Sequence, residues 1–161
     1  MARRGQRRDG AQVARALRRV VLDAGPVVDL LLNEPSASEI TSALHEADSL
    51  RISVVNVAEV IDVTRRVHGV SAEDAALAVD RFLDEVAHPI ATTREQAVRA
   101  ADLRARHYHH RDRDVSLADC FVVSAAQPGD TIATSDRAVV EVARAEGFDV
   151  LALPNARGRR P

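Results

Sequence analysis

Short apolar runs alternate with longer amphipathic segments along the chain. Runs rich in β-branched residues predict strands, whereas apolar positions spaced three and four residues apart predict helices. The segments predicted to be extended are residues 20–23, 50–55, 88–92, 131–134 and 148–152. Strands that alternate with helices are typical of a parallel sheet covered on both faces. We therefore expect an α/β fold: a single domain with a short parallel sheet of about four to five strands and helices on both faces.

Residues that favour helix starts and ends delimit the predicted helices. Pro26 suits the first position of the first helix. Gly69 and Gly147 suit the ends of two later helices. The other helix starts are predicted at Ser36 (with Glu39), Asn56, Ser71 (with Asp74), Thr92 (with Glu95), Ser116 and Asp136. The apolar face of the helix that begins at Ser71 is predicted to include Leu77 and Val86.

Composition and charge narrow the class of protein. Hydrophobic residues make up 46% of the chain and charged residues 29%, which predicts a folded, soluble domain. The single cysteine excludes an intrachain disulfide framework and a cysteine zinc site. No apolar run approaches the ~20 residues of a membrane span and no secretory signal is visible, so we expect a cytoplasmic protein without membrane contact.

The ends of the chain are rich in arginine, whereas the part between them is strongly acidic. We expect residues 1–18 to be a disordered basic extension, residues 19–153 to be the domain, and residues 154–161 to be a basic tail. The basic ends could contact nucleic acid. Alternatively, the N-terminal arm is only solvated, or the start codon has been assigned too early.

Four acidic residues lie where apolar runs end, at Asp23, Glu59, Asp119 and Asp136. Parallel α/β sheets place functional residues at the carboxyl ends of their strands, so we expect these four side chains to converge. Converging carboxylates repel one another and imply a bound cation or raised pKa values. Ligand sets made only of oxygen favour Mg²⁺ or Mn²⁺ over zinc.

Each of these acids also has a purely structural interpretation. Asn56-x-x-Glu59 and Ser116-x-x-Asp119 both match a capping box or its aspartate variant. Asp136 could be a helix N-cap, and Asp23 could be a turn residue. The joint pattern favours the metal site, because capping does not require all four acids at one edge of the sheet.

The surrounding residues make the chain similar to PIN-domain proteins, and more closely to the VapC-type toxins of bacterial toxin–antitoxin pairs. The resemblance lies in residues 21–28, 56–60, 115–120 and 132–138, in the family's order and approximate spacing. It extends from residue 20 to about residue 152, so residues 19–153 would be a PIN domain. Gly25 departs from the pattern, since the family usually has serine or threonine there.

The resemblance implies an Mg²⁺-dependent endoribonuclease, with Mn²⁺ able to substitute. Asp23 and Asp119 would be the main metal ligands, and Glu59 and Asp136 would complete the acidic cluster. Hydrogen bonds from Thr134 and Ser135 would orient Asp136. The metal would activate a water molecule and stabilise charge on the phosphate, and hydrolysis would leave a 3′-hydroxyl and a 5′-phosphate. The implied partners are RNA, a cognate antitoxin with a basic side chain for the acidic cleft, and a second copy in a homodimer.

Other functions remain open at this stage. A PIN-like module that binds RNA without cleaving it would keep the same fold. A phosphoryl-transfer domain would use Asp23 as its nucleophile, but Asp23-Ala24-Gly25 lacks the adjacent acid that this chemistry needs. A DNA nuclease of related fold is disfavoured because no duplex-binding insertion is visible.

A basic stretch precedes the helix that carries Asp119. It consists of Arg104, Arg106, His107, Tyr108, His109, His110, Arg111 and Arg113. The stretch could bind RNA phosphates while Tyr108 stacks on a base, or it could be an ordinary surface loop. Its histidines could also hold a transition metal adventitiously.

Further residues have mainly structural interpretations. Cys120 is expected to be buried packing, whereas Asp29 and Asp62 are expected at the surface or in an interface. Two predicted helices share an apolar face made of Ile40, Ala43, Leu44, Val60, Ile61, Val63 and Val67. This face could bind a second copy or an antitoxin helix, or it could be ordinary core.

Overall fold

The computed structural model describes residues 19–161, so the predicted basic extension at 1–18 lies outside the described residues. The described residues form five strands and seven helices. The strands are β1 (Arg19–Leu22), β2 (Ser49–Ser53), β3 (His88–Ile90), β4 (Thr131–Thr134) and β5 (Asp149–Ala152). The helices are α1 (Ala24–Leu31), α2 (Ala37–Leu44), α3 (Val54–Arg66), α4 (Ala72–Glu85), α5 (Arg94–His107), α6 (Leu117–Ala125) and α7 (Arg137–Ala145).

The five strands form one parallel sheet in the order β3-β2-β1-β4-β5. Leu22 at the end of β1 is in register with Ile52 of β2 and with Ala133 of β4. Asp23 therefore leaves the sheet at the middle of its carboxyl-terminal edge. The predicted α/β fold with a short parallel sheet is confirmed.

The sheet separates two hydrophobic clusters, because side chains alternate between its faces. Val20 and Leu22 pack on one side with apolar residues of α1, α2, α3 and α4. Val21 packs on the other side with residues of α5, α6 and α7. Helices thus cover both faces, as predicted, and β1 is buried on both sides.

The start of α3 differs from the prediction. Ser53, not Asn56, is the N-cap, and its hydroxyl accepts a hydrogen bond from the amide of Val55 at 3.2 Å. The β-branched residues Val54 and Val55 favour a strand, but they form the first turn of the helix instead. Asn56 is consequently a fully buried helical residue whose side chain is available for other contacts.

Other predicted helix starts are displaced by short distances. Asp23 caps α1, so Pro26 is its third residue and not its first. Ser36 precedes α2 as predicted, but its hydroxyl donates to Asp29 and makes no capping hydrogen bond. The capping box of α5 uses Thr93 with Gln96, one residue later than the predicted pair.

Two more predictions fail at the surface of α4 and at its end. Leu77 and Val86 were expected on the apolar face of this helix, but they are 49% and 46% exposed. The buried residues of α4 are Ala75, Val79 and Phe82. Because these three recur at intervals of three and four residues, they form the apolar stripe that packs toward the sheet, and this stripe is narrower than the predicted apolar face.

The amino-terminal edge of the sheet contains a buried ion-pair cluster that the sequence did not reveal. Asp130, which is fully buried, accepts hydrogen bonds from Arg19 Nε at 2.7 Å and from the amide of Gln127 at 2.9 Å. Its carboxylate also pairs with Arg51.

Within residues 19–161, no helix is long and apolar enough to cross a membrane.

Candidate metal centre

Asp23 is placed by the central strand and held from two sides. It follows β1, caps α1 and is only 4% exposed. One carboxylate oxygen accepts from the amide of Ala24 at 2.7 Å, and the other accepts from the hydroxyl of Thr134 at 2.6 Å. Because Thr134 ends the neighbouring strand β4, the sheet itself fixes the orientation of this carboxylate.

Asp119 is held by the capping box of α6. Its carboxylate accepts from the amide of Ser116 at 2.6 Å, and the Ser116 hydroxyl accepts from the Asp119 amide at 3.0 Å. The capping interpretation is therefore correct, and it is compatible with a functional role. Capping places one carboxylate oxygen against the helix start and sets the direction of the side chain.

Glu59 has no capping role, because it lies in the second turn of α3. The buried side-chain amide of Asn56 donates to Glu59 Oε2 and to the carbonyl oxygen of Ala118, both at 3.2 Å. Asn56 thus connects Glu59 on α3 to the helix that carries Asp119. The sequence predicts only a helix start at Asn56; the pattern that indicates a positioning role is an amide three residues before Glu59 in an apolar run.

Asp136 is the N-cap of α7, as the alternative interpretation predicted. Its carboxylate accepts from the amides of Ala138 at 2.6 Å and Val139 at 3.3 Å. The Thr134 hydroxyl accepts from the Asp136 backbone amide at 2.9 Å, so Thr134 contacts both Asp23 and the start of α7. Ser135 makes no hydrogen bond to the Asp136 carboxylate among the described residues.

The four predicted site residues line one cavity of about 290 Å³. Gly25 lines it too, and a Cβ atom at Gly25 would lie 3.0 Å from Ser135 Oγ. The Ser135 hydroxyl therefore occupies the space that a larger residue 25 would need. Three more polar or charged residues contribute to the wall, namely Asp29, His68 and Ser135.

The carboxylates of this cavity destabilise one another's charged forms. The pKa of Asp23 is raised to about 7, chiefly by burial; the charges of Asp119 and Glu59 contribute to this rise, while the hydrogen bond from Thr134 opposes it. The pKa values of Glu59 and Asp119 are also raised, chiefly by burial, and nearby acids including Asp136 add to this. An acidic cluster of this kind is stabilised by a cation.

The donor set fits a hard divalent cation such as Mg²⁺. The acidic lining residues offer carboxylate oxygens, and no arginine of the described chain lines the cavity. Within residues 19–161, no group of three or more acidic, histidine or cysteine side chains is arranged so that it could hold a metal ion. Mg²⁺ itself commonly uses one or two carboxylates together with several waters.

Asp29, predicted at the surface or in an interface, does not lie at the surface. It is buried on α1, accepts a hydrogen bond from the Ser36 hydroxyl at 2.9 Å, and lines the cavity. Asp62, by contrast, is exposed as predicted and pairs with Arg66. Cys120 is fully buried, and burial raises the pKa of its thiol to about 11, which confirms a packing role.

The apolar face predicted on two helices is mostly core. Ile40, Leu44 and Val60 are buried in the cluster that contains β1. Val67 is 60% exposed at the end of α3. The ordinary-core interpretation therefore holds for the buried part of this face.

The fold and the acidic edge of the sheet define the class: an α/β domain with a cluster of acidic residues at the carboxyl ends of its strands. The PIN domain family matches residues 20–145, and the chain therefore belongs to the PIN-domain family. No curated protein matches the chain.

Several solved structures have a similar fold. VapBC from Salmonella typhimurium, bound to DNA, is 17% identical with a TM-score of 0.61, and the match covers 83% of this chain and 97% of that one. VapBC2 from Rickettsia felis, bound to a DNA fragment from its promoter, has the same identity and coverage with a TM-score of 0.60. FitAcB from Neisseria gonorrhoeae is 17% identical with a TM-score of 0.55, covering 82% of this chain and 96% of that one.

Proposed function

We propose that this protein is an Mg²⁺-dependent endoribonuclease and the toxin of a type II toxin–antitoxin pair. The observation that supports this most strongly is the environment of Asp23. A buried carboxylate at the centre of the sheet edge faces Asp119 and Glu59, and no arginine of the described residues lines the cavity. Such an arrangement is unfavourable for the free protein and suited to binding a cation.

Each acidic residue has a distinct proposed role. Asp23 and Asp119 hold the cation, because hydrogen bonds fix both carboxylates in place. Glu59 Oε2 is bound by Asn56, whereas Oε1 has no hydrogen-bond partner within residues 19–161, which leaves it free to accept a proton from the attacking water. Asp136, exposed at the rim, completes the cluster. The bound cation would activate water and stabilise the negative charge on the phosphate.

The toxin role is proposed from the comparisons and from a second cavity. The similar structures from Salmonella typhimurium and Rickettsia felis are VapBC complexes. In this chain, an apolar groove of about 380 Å³ lies between α1, α2 and α4. It is lined mainly by Leu30, Leu31, Leu44, Leu50, Phe82 and Val86. We propose that an amphipathic helix of a cognate antitoxin binds there and brings a basic side chain to the carboxylates.

The decisive experiment is cleavage of end-labelled total RNA by purified protein with Mg²⁺, with Mn²⁺ or with EDTA. We expect discrete fragments that need the metal and that disappear in Asp23→Asn. Asp62→Asn is the matched control, because Asp62 is exposed on α3 and outside the cavity. If folded, antitoxin-free protein cleaves no RNA with either metal, the non-catalytic RNA-binding module becomes the better description.

The proposed homodimer needs a separate measurement. Sedimentation at micromolar concentration should show a species of twice the monomer mass. A single species of monomer mass would contradict the dimer without affecting the nuclease proposal.

A further inference from the structure

We propose that a groove beside the metal centre binds an unpaired nucleobase of the RNA substrate by stacking against Tyr108. This inference rests on the proposed ribonuclease function and adds a substrate-binding site to it. The groove, here called the Tyr108 groove, has a volume of about 340 Å³. It is lined by Ala101, Arg104, Ala105, Tyr108 and Leu117.

The walls of the Tyr108 groove suit a flat ligand. Tyr108 is 42% exposed and Leu117 is 47% exposed, so an aromatic ring and an aliphatic side chain are both accessible. Ala101 and Ala105 contribute only methyl groups, which leaves space between the larger residues. Nucleobases bind such surfaces by stacking on aromatic rings, largely independently of sequence.

The ring of Tyr108 is held by a cation. The guanidinium carbon of Arg104 lies 4.9 Å from the ring centroid, within the range of a cation–π interaction. Arg104 Nε also donates to the carbonyl oxygen of Val115 at 3.3 Å, which anchors the arginine to the chain before α6. Ring and cation are therefore held together before RNA binds, and the positive charge favours the adjoining phosphate.

The position of the groove connects it to the metal centre. Leu117 and Asp119 both lie in the first turn of α6, and Ser116 caps that turn. Leu117 lines the Tyr108 groove, whereas Asp119 lines the acidic cavity. Because the two residues are two positions apart, their side chains leave the helix start on different sides, and an RNA strand that reaches the carboxylates would pass around the start of α6 to place a base in the groove.

The rest of the basic stretch is largely engaged within the protein. Arg106 pairs with Glu146 at 2.7 Å, and Arg113 pairs with Glu141 at 3.0 Å. His107 also contacts Glu146 at 2.7 Å. Arg104 and Arg111, in contrast, have no acidic partner among the described residues, and of these two only Arg104 lines the Tyr108 groove. The structure therefore favours a base-stacking site at Arg104 and Tyr108 over a general phosphate grip along the whole stretch.

The chain offers a direct test, because Tyr108 is its single tyrosine and it has no tryptophan. Tyrosine fluorescence of full-length Asp119→Asn would be recorded during titration with short single-stranded oligoadenylate. We expect saturable quenching that follows the binding curve obtained from the anisotropy of a labelled oligonucleotide. Double-stranded RNA, whose bases are already stacked, should bind without comparable quenching.

Variants separate stacking from a merely structural role. Tyr108→Ala should lower affinity for oligoadenylate by about tenfold, whereas Tyr108→Phe should stay within about twofold of the parent because the ring remains. Leu77→Ala is a matched control, since Leu77 is comparably exposed but lies on α4. Circular dichroism and thermal unfolding would confirm that each variant folds.

Two results would overturn the inference: unchanged affinity in folded Tyr108→Ala, or anisotropy-detected binding with no change in tyrosine fluorescence. These failures differ from failure of the proposed function. Metal-dependent cleavage with no role for Tyr108 would remove only the base site. Stacking on Tyr108 without any cleavage would support the base site and remove the nuclease.

Discussion

Two buried aspartates lie at opposite edges of the same sheet and have opposite surroundings. Asp130, at the amino-terminal edge, is paired with Arg19 and Arg51. Asp23, at the carboxyl-terminal edge, accepts hydrogen bonds from a hydroxyl and an amide and from no other group within residues 19–161, and its charged neighbours there are Asp119 and Glu59. Burial of a carboxylate therefore does not by itself indicate function. The sign of the neighbouring charges separates an internal ion pair at Asp130 from the proposed cation site at Asp23.

The largest expected effect is the loss of RNA cleavage in the Asp119→Asn variant. The cleavage rate of this variant should fall by about a thousandfold or more, because a neutral amide is a much weaker ligand for the cation. Initial rates at saturating Mg²⁺ would measure this, with Asp62→Asn as the exposed control. A wild-type rate in Asp119→Asn would contradict the assignment of this residue.

The next largest effect is the pH dependence of the free energy of unfolding, measured on the metal-free protein. The pKa of Asp23 rises from 3.8 to about 7 on folding, so between these values the folded state retains a proton that the unfolded chain has released. The free energy of unfolding should therefore fall as pH rises from about 4 to about 7, by at most about 4 kcal/mol from this residue.

Asp23→Asn should remove that part of the pH dependence and be more stable than wild type at pH about 7 without metal. Denaturant unfolding in EDTA across this range would measure both proteins. Added Mg²⁺ should stabilise only the wild type. An unchanged pH slope in the variant would show that Asp23 is not the group responsible.

The opposite behaviour is expected at the other edge of the sheet. Asp130→Asn should destabilise the protein by about 2–3 kcal/mol, because it leaves the charges of Arg19 and Arg51 without their buried partner. Metal-dependent cleavage per folded molecule should be unchanged. Loss of cleavage in a fully folded sample would mean that the two edges are coupled.

The smallest effect compares two helix caps. Ser116 and Ser71 each accept a hydrogen bond from an aspartate amide at 3.0 Å, but of the two only Ser116 contacts a residue of the candidate metal centre, Asp119. Either serine-to-alanine change should cost about 1 kcal/mol of stability. Ser116→Ala should also weaken Mg²⁺ binding, measured by thermal shift, by up to about tenfold. If Mg²⁺ shifts the unfolding temperature equally in Ser116→Ala and Ser71→Ala, then Ser116 serves only as a helix cap.

Local patterns in the sequence predicted much of the fold and the position of the acidic residues. The alternation of strands and helices was visible because the buried residues of β1 and β4 are apolar or β-branched and occur in short runs. The capping roles of Ser116 and Asp136 could be predicted for a similar reason, since a cap involves residues within one helical turn. The location of the acids at the carboxyl-terminal edge of the sheet could be predicted because parallel strands all end at that edge.

Tertiary packing decided the features that depend on residues distant in sequence. Asn56 contacts Ala118 across two helices, Asp29 is buried behind Ser36, and Asp130 pairs with Arg19 from another strand. The basic stretch acquires its acidic partners from α7 and from Glu146 at its end, so its charge could not be judged from composition. Periodicity and capping are local, whereas charge pairing and burial depend on which surfaces meet. The sequence by itself determined where the carboxylates lie along the chain, and only the tertiary structure decided which charges surround them.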